Sequence, residues 1–262
     1  MDLPALRLYL DGVVERYETP DFIGDDPISF PHGFDDPADQ EIIGLFAALL
    51  AWGRRDTLLR KMEDLAERML YRPHRFVVDY DGAADAARLD GFGHRTFVPG
   101  DVHQLVRALQ WVLARFGSLH RAVADGSDTT DENIGPRIER LSTLLLEGPP
   151  GIPARMRKHL AKPSTGSACK RLSMYFRWMV RPGPVDLGIW HAIEPRQLVL
   201  PLDIHSGRQA RAVGLLTRKA NDWRAVLELT EACRSLNPED PARYDFAFFG
   251  SGSAGESLLP AR

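Results

Sequence analysis

The residues best suited to chemistry lie between Lys162 and Lys219. Asp203 follows an apolar run, LVLPL, and precedes IHSGRQAR, a helical segment carrying His205, Arg208 and Arg211. At that position its carboxylate caps a helix, which is a sufficient role by itself. The two uses are compatible, because helix N-terminal amides hold a carboxylate ionised and oriented, as a group that stabilises a developing cation must be.

Upstream, a helix predicted over Ser167–Val180 places Leu172, Tyr175, Phe176 and Met179 on one face. Lys170, Arg177 and Arg181, at i, i+7 and i+11, share the opposite stripe; Met174 joins it and Trp178 borders it. Apolar side chains beside cations suit a nucleic-acid groove, where aromatics stack on bases and cations hold phosphates. The alternative is a helix buried on most sides. Ahead of it, Pro163-Ser164-Thr165-Gly166-Ser167 reads as a tight turn joined to a predicted helix over Ile152–Leu160. Helix N-terminal amides at such a turn form an anion site fit for a DNA phosphate, although many helix pairs in bundles have this turn and bind nothing.

Charge is distributed unevenly. Residues 1–50 hold eleven Asp or Glu against Arg7 and Arg16, whereas Gly148–Val185 holds eight Lys or Arg and no acid. The asymmetry points to a basic patch with a polyanionic partner in a chain of net charge −3; a solvated helix face is the plainer reading.

Positioning these residues falls to helices. Apolar spacing of about 3.6 dominates and no alternating run persists, so an all-α fold is expected. Helices are predicted over Ala5–Tyr17, Ala38–Ala51, Arg55–Leu70, Val102–Phe116, Leu119–Ala124, Ile134–Leu146, Ile152–Leu160, Ser167–Val180, Ile204–Gly214, Trp223–Leu236 and Ala242–Phe249, with Asp101, Ser167, Asp203 and Asp222 as caps. The strongest breaker, GPPG at Gly148–Gly151, suggests one domain of two lobes, roughly 30–150 and 151–262 plus the N-terminal helix. GSGSAG at Gly250–Gly255 matches a dinucleotide-binding pattern by letter only and reads as a frayed tail.

Cys169 and Cys233 are too few for a disulfide framework, a four-thiolate zinc site or an iron–sulfur cluster, and fit a reducing cytoplasm. The opening residues do not resemble a signal peptide, and Ile42–Gly53, the most apolar run, falls short of the ~20 residues of a membrane span and reads as a buried helix. His32, Asp35, Asp36 and Asp39 could serve a metal-dependent hydrolase, but an acidic loop before a helix ordinarily caps it, and no metal site is expected.

The hairpin, the lysine-bearing helix and the later Asp resemble the helix-hairpin-helix DNA glycosylase superfamily. Lys170 in SACKRLSM and Asp203 in LPLDIH match its lysine and aspartate motifs, and the gap between them is more similar to the archaeal 8-oxoguanine glycosylase branch than to the endonuclease III branch. The chain also resembles, over nearly its whole length, a bacterial family of unknown function near these glycosylases, through DQEIIGLFAALLAWGRRDTL, CKRLSMYFRWMVR, VDLGIW, PLDIH and DPARYDFAFFG.

The resemblance implies a two-lobed glycosylase-like fold with a cleft between lobes. It implies a base-excision glycosylase with AP-lyase activity on an oxidised base such as 8-oxoguanine; the alternative is a non-catalytic DNA or RNA structure-binding protein on the same scaffold. Lys170 would be the nucleophile and Asp203 would stabilise the oxocarbenium; desolvation or cations such as Arg171 would favour a neutral amine. DNA contacts would come from Ser164, Thr165, Gly166, Ser167, Arg171, Arg177, Arg181, His205 and Arg208, with Trp52, Met174, Trp178 and Trp190 around a flipped base. Where glycosylases place a Gln wedge this chain has Trp52-Gly53-Arg54-Arg55, so Arg54, Arg55 or Trp52 would fill that role; the LPGVG hairpin signature is absent. The expected partner is double-stranded DNA, met by a monomer in the cytoplasm at the nucleoid, with no cofactor beyond a monovalent cation at the hairpin.

Overall fold

The computed structural model describes residues 2–125 and 131–258. Among them are thirteen α-helices and no strand: α1 (Leu3–Tyr17), α2 (Ser29–His32), α3 (Pro37–Leu50), α4 (Arg55–Arg68), α5 (Pro73–Val78), α6 (Ala86–Leu89), α7 (Pro99–Phe116), α8 (Leu119–Ala124), α9 (Gly135–Glu147), α10 (Lys170–Val180), α11 (Ile204–Ala212), α12 (Trp223–Leu236) and α13 (Asp245–Ser253). The protein is all-α. No helix among the described residues is long and apolar enough to cross a membrane.

The chain divides into two compact units, the first Met1–Phe22, Thr129–Pro136 and Lys162–Arg262, the second Ile23–Asp128 and Arg137–Ala161. The boundary expected at GPPG is therefore displaced, since residues 151–161 lie in the second unit. The predicted helix over Ile152–Leu160 is instead a 3-10 turn, Ala154–Lys158. Pro149, Pro150 and Pro153 crowd the segment, and each removes a backbone donor and biases the preceding residue toward extended geometry.

In the second unit α3 is buried from Glu41 to Leu50. Asp36 caps it by accepting from the Ala38 amide at 2.9 Å, and Asp39 accepts from the His74 amide at 2.8 Å, so both acids have structural partners. Glu41 places its carboxylate on the Leu119 and His120 amides, both at 2.8 Å, and so satisfies the exposed donors at the start of α8. Helix α7 starts at Pro99, which puts Asp101 inside its first turn, accepting from the Val98 amide at 3.2 Å.

Helix α4 ends in a Schellman turn, with Tyr71 N–H donating to Ala66 O and Leu70 N–H to Glu67 O, both at 2.8 Å. Leu70 sits there at φ +58 with its side chain largely exposed. A left-handed conformation costs an L-residue about 1–2 kcal/mol, whereas glycine adds only about 0.4–1 kcal/mol of unfolded-state entropy. Leu70→Gly is therefore expected to stabilise the protein by roughly 0.5–1 kcal/mol in urea denaturation; a loss of stability would show that the exposed leucine makes compensating contacts.

The first unit is built on α10, α13 and α1. Helix α10 is buried from Leu172 to Val180, and Trp190 meets the edges of Tyr175 and Phe176 at 5.3 Å each. Gly250 and Gly252, expected in a frayed tail, are buried in α13. At Gly250 smallness is the reason: a Cβ there would stand 2.4 Å from the Tyr17 ring, so glycine lets α1 approach α13 closely.

Candidate functional site

Lys170 is the first residue of α10, and Cys169 before it adopts φ +49. Ser167, predicted as the cap, lies outside the helix and accepts from the Cys169 amide at 3.2 Å. That kink turns the chain from the Pro163–Thr165 turn into α10. Asp203 caps α11 as expected, its Oδ1 accepting from the amides of His205 at 2.8 Å and Ser206 at 3.0 Å. Its own amide donates to Ser206 Oγ at 2.9 Å, and its carbonyl accepts from Asn221 Nδ2 at 2.8 Å, so both ends of the residue are pinned.

The two side chains meet. Lys170 Nζ lies 3.9 Å from Asp203 Oδ2, with side-chain exposures of 23% and 27%. The same amine donates to Met174 Sδ at 3.4 Å and stands 5.6 Å from the centre of the Phe249 ring. One carboxylate oxygen of Asp203 thus serves the backbone and the other faces an ammonium that is neither fully solvated nor deeply buried.

Asp245, one turn before Phe249 on α13, is close enough to feel the charge of both Lys170 and Asp203. It is buried and bonded to Arg177 Nη1 at 2.5 Å. Burial pushes its carboxyl up to about 6, with Arg177 and then Lys170 opposing and Asp203 adding to the shift. The sequence reading missed Asp245 and Phe249, although their i, i+4 spacing on one helix face was visible in DPARYDFAFFG.

The raised carboxyl has a consequence for stability. An unfolded Asp245 loses its proton near 3.8 and the folded one near 6, so the folded chain binds the extra proton across that window and stability falls as pH rises through it. An Asp245→Asn variant lacks that loss and is expected to gain on the parent by up to about 3 kcal/mol between about pH 4 and pH 7 in urea denaturation. A difference independent of pH would contradict the assignment.

Several expected site residues lie elsewhere. Arg177 and Arg181 do not reach a surface for phosphates. Both are buried, Arg177 between Asp186 at 3.3 Å and Asp245, and Arg181 among Glu18 at 2.5 Å, Asp186 at 3.0 Å and Asp240 at 2.8 Å. Four carboxylates gathered from distant parts of the chain compensate the two guanidiniums, as burial of charge requires. Trp178, Trp190 and Met174 are core side chains rather than an open base pocket. Arg171 is largely buried, and desolvation lowers its guanidinium below the ordinary arginine value.

At the turn, Ser164, Thr165 and Gly166 are exposed and Ser167 is partly covered. The amides of Thr165 and Gly166 are spent within the turn, on Lys162 O at 3.2 Å and Pro163 O at 2.9 Å, so they are not free donors for an anion. His205 and Arg208 are exposed on α11. Trp52, Arg54 and Arg55 are exposed in the second unit. No group of three metal-ligating side chains occurs among the described residues.

No curated protein and no solved structure matches the chain. A family model described as a protein of unknown function (DUF2400) matches residues 26–254, and the chain belongs to that family.

Proposed function

We propose that this protein is a base-excision DNA glycosylase with AP-lyase activity, of helix-hairpin-helix glycosylase-like fold, acting on an oxidised base such as 8-oxoguanine in duplex DNA at the nucleoid. The observation that supports it is the 3.9 Å approach of the Lys170 amine to a carboxylate locked in place by a helix N-terminus. Neutral Lys170 attacks C1′ of the damaged nucleotide as the N-glycosidic bond breaks; the base leaves with the bonding pair and takes up a proton. Asp203 stabilises the oxocarbenium character that builds at the sugar. Loss of a proton from nitrogen and opening of the sugar ring leave a Schiff base on Nζ, and abstraction of a C2′ proton then expels the 3′-phosphate and breaks the strand. Ser164, His205 and Arg208, all exposed in the same unit, are the side of this site that meets the DNA backbone; Thr165 and Gly166 spend their donors within the turn and shape it.

The test is incubation with duplexes carrying an abasic site or one of a panel of lesions, with and without borohydride, which reduces the Schiff base to a stable secondary amine. A covalent protein–DNA adduct is expected on abasic and oxidised-purine duplexes. Binding to abasic and intact duplex alike, with no adduct and a steep fall in affinity with salt, would instead identify a non-catalytic structure-binding module.

A further inference from the structure

Between α4 and α5 the chain turns through three residues of irregular backbone. Leu70 and Tyr71 both hold left-handed φ, +58 and +50, and Arg72 follows at φ −137 and ψ 64 before Pro73 opens α5. That region is costly for L-residues, and strain of this kind persists where the surrounding structure fixes an arrangement that serves a ligand. The turn separates two hollows. Tyr71 lines the smaller, of about 360 Å³, where its hydroxyl donates to Glu63 Oε1 at 2.5 Å. Leu70 lines the larger, of about 600 Å³, a size usual for small-molecule sites. Met69 and Phe76 line it too; both are buried, whereas Leu70 leaves 57% of its surface to water. A ligand that covers this wall therefore removes apolar surface from solvent.

Charge decides what fits. The hollow is also lined by Arg72, Arg75, Asp79 and Asp85. Arg75 Nε lies 3.2 Å from Asp79 Oδ2, so that pair is matched within the lining. Asp85 accepts from the Asp81 amide at 3.0 Å and stands 3.5 Å from Arg88 Nε. Arg72 is exposed and has no acidic partner among the described residues. What remains is one guanidinium beside an apolar wall. Its planar fork matches a carboxylate through two parallel hydrogen bonds. Asp79 and Asp85 oppose any second negative charge, which disfavours a polyanion such as a nucleic-acid backbone.

From this we infer that the corner between α4 and α5 binds a small apolar monocarboxylate, an aryl or alkyl acid whose body covers Met69, Leu70 and Phe76 and whose carboxylate bonds Arg72. The site lies within the second unit and is independent of the chemistry at Lys170 and Asp203. It also gives the strained leucine a use that its contribution to stability does not.

The probes are phenylbutyrate and octanoate, titrated calorimetrically into the full chain, with phenylbutyramide as the uncharged control and phenylsuccinate as the dianion. Saturable binding of at least one of the two acids is expected, tighter than that of either control. Arg72→Gln is expected to weaken it about tenfold at an unchanged melting temperature, since the guanidinium has no partner within the chain to lose. Leu70→Gly, which relieves the backbone and melts no lower than the parent, is expected to weaken it about fivefold through loss of the apolar wall. Asp79→Asn releases Arg75 and is expected to tighten it up to about fivefold. The inference is overturned by absence of saturable binding of both acids, by equal binding of the amide, by affinity indifferent to Arg72→Gln or to Leu70→Gly, or by weaker binding in Asp79→Asn. Displacement of the acid by a short intact duplex would overturn it as well and assign the corner to a nucleic-acid surface.

Discussion

Asp203→Asn is expected to leave the melting temperature within a degree or two of the parent and to cut the rate of base release by about 10²–10³-fold. The two outcomes come from different atoms. Oδ1 caps α11 by accepting from the His205 and Ser206 amides, and asparagine keeps an oxygen there and ranks with aspartate as a cap. Oδ2 faces the Lys170 amine at 3.9 Å, and asparagine replaces it with an uncharged amide that cannot stabilise a developing oxocarbenium. If Asp203 were only a cap, Asn would change neither quantity, and Ala would destabilise by about 1 kcal/mol. Single-turnover cleavage of a lesion duplex alongside thermal melting of each variant decides between the roles.

Arg177→Met is expected to destabilise the protein by about 3–5 kcal/mol, the usual result of removing one partner from a buried ion pair. Arg177 bonds Asp186 at 3.3 Å and Asp245 at 2.5 Å, and its guanidinium carbon lies 4.4 Å from the Phe246 ring centre. Methionine keeps the length and the packing but leaves Asp245 without its cation in a buried place. Adding Asp245→Asn to that variant is expected to recover part of the loss, because the second change removes the uncompensated charge. Urea denaturation of the single and double variants measures both effects; a single-variant loss under about 1 kcal/mol would show that Arg177 is effectively solvated.

The sequence reading of Arg177 as a surface cation erred for a definite reason. Its stripe on α10 was correctly drawn, but what a stripe faces depends on its partners, and those of Arg177 and Arg181 are Glu18, Asp186, Asp240 and Asp245, spread over more than two hundred positions. No local pattern announces such a network. Leu172, Tyr175, Phe176 and Met179 were legible as core because burial of an apolar face follows from spacing alone. So was α12, predicted and found over Trp223–Leu236, where Asp222 accepts from the Ala225 amide at 3.0 Å. The four-residue helices α2 and α6 went unseen, since a single turn carries too little periodicity to stand out, and so did α5, although the equally short α8 was predicted and found over Leu119–Ala124.

Of the candidate site, Lys170 and Asp203 were legible in the sequence, and Asp245 and Phe249 were not. Lys170 and Asp203 could be named from the segments around them, and the structure brings them together. Asp245 and Phe249 arrive from α13, whose position depends on Gly250 admitting Tyr17, a contact across more than two hundred residues of chain.

Which amine of the protein bonds to DNA decides whether Lys170 is the nucleophile. An abasic duplex is fixed to the protein with borohydride, the complex is digested, and the modified peptide is sequenced by mass spectrometry. A secondary amine is expected at Lys170 Nζ, with no adduct from a Lys170→Ala variant that melts like the parent. An adduct mapped to another lysine or to the N-terminal amine, or equal fixation of Lys170→Ala, would contradict it.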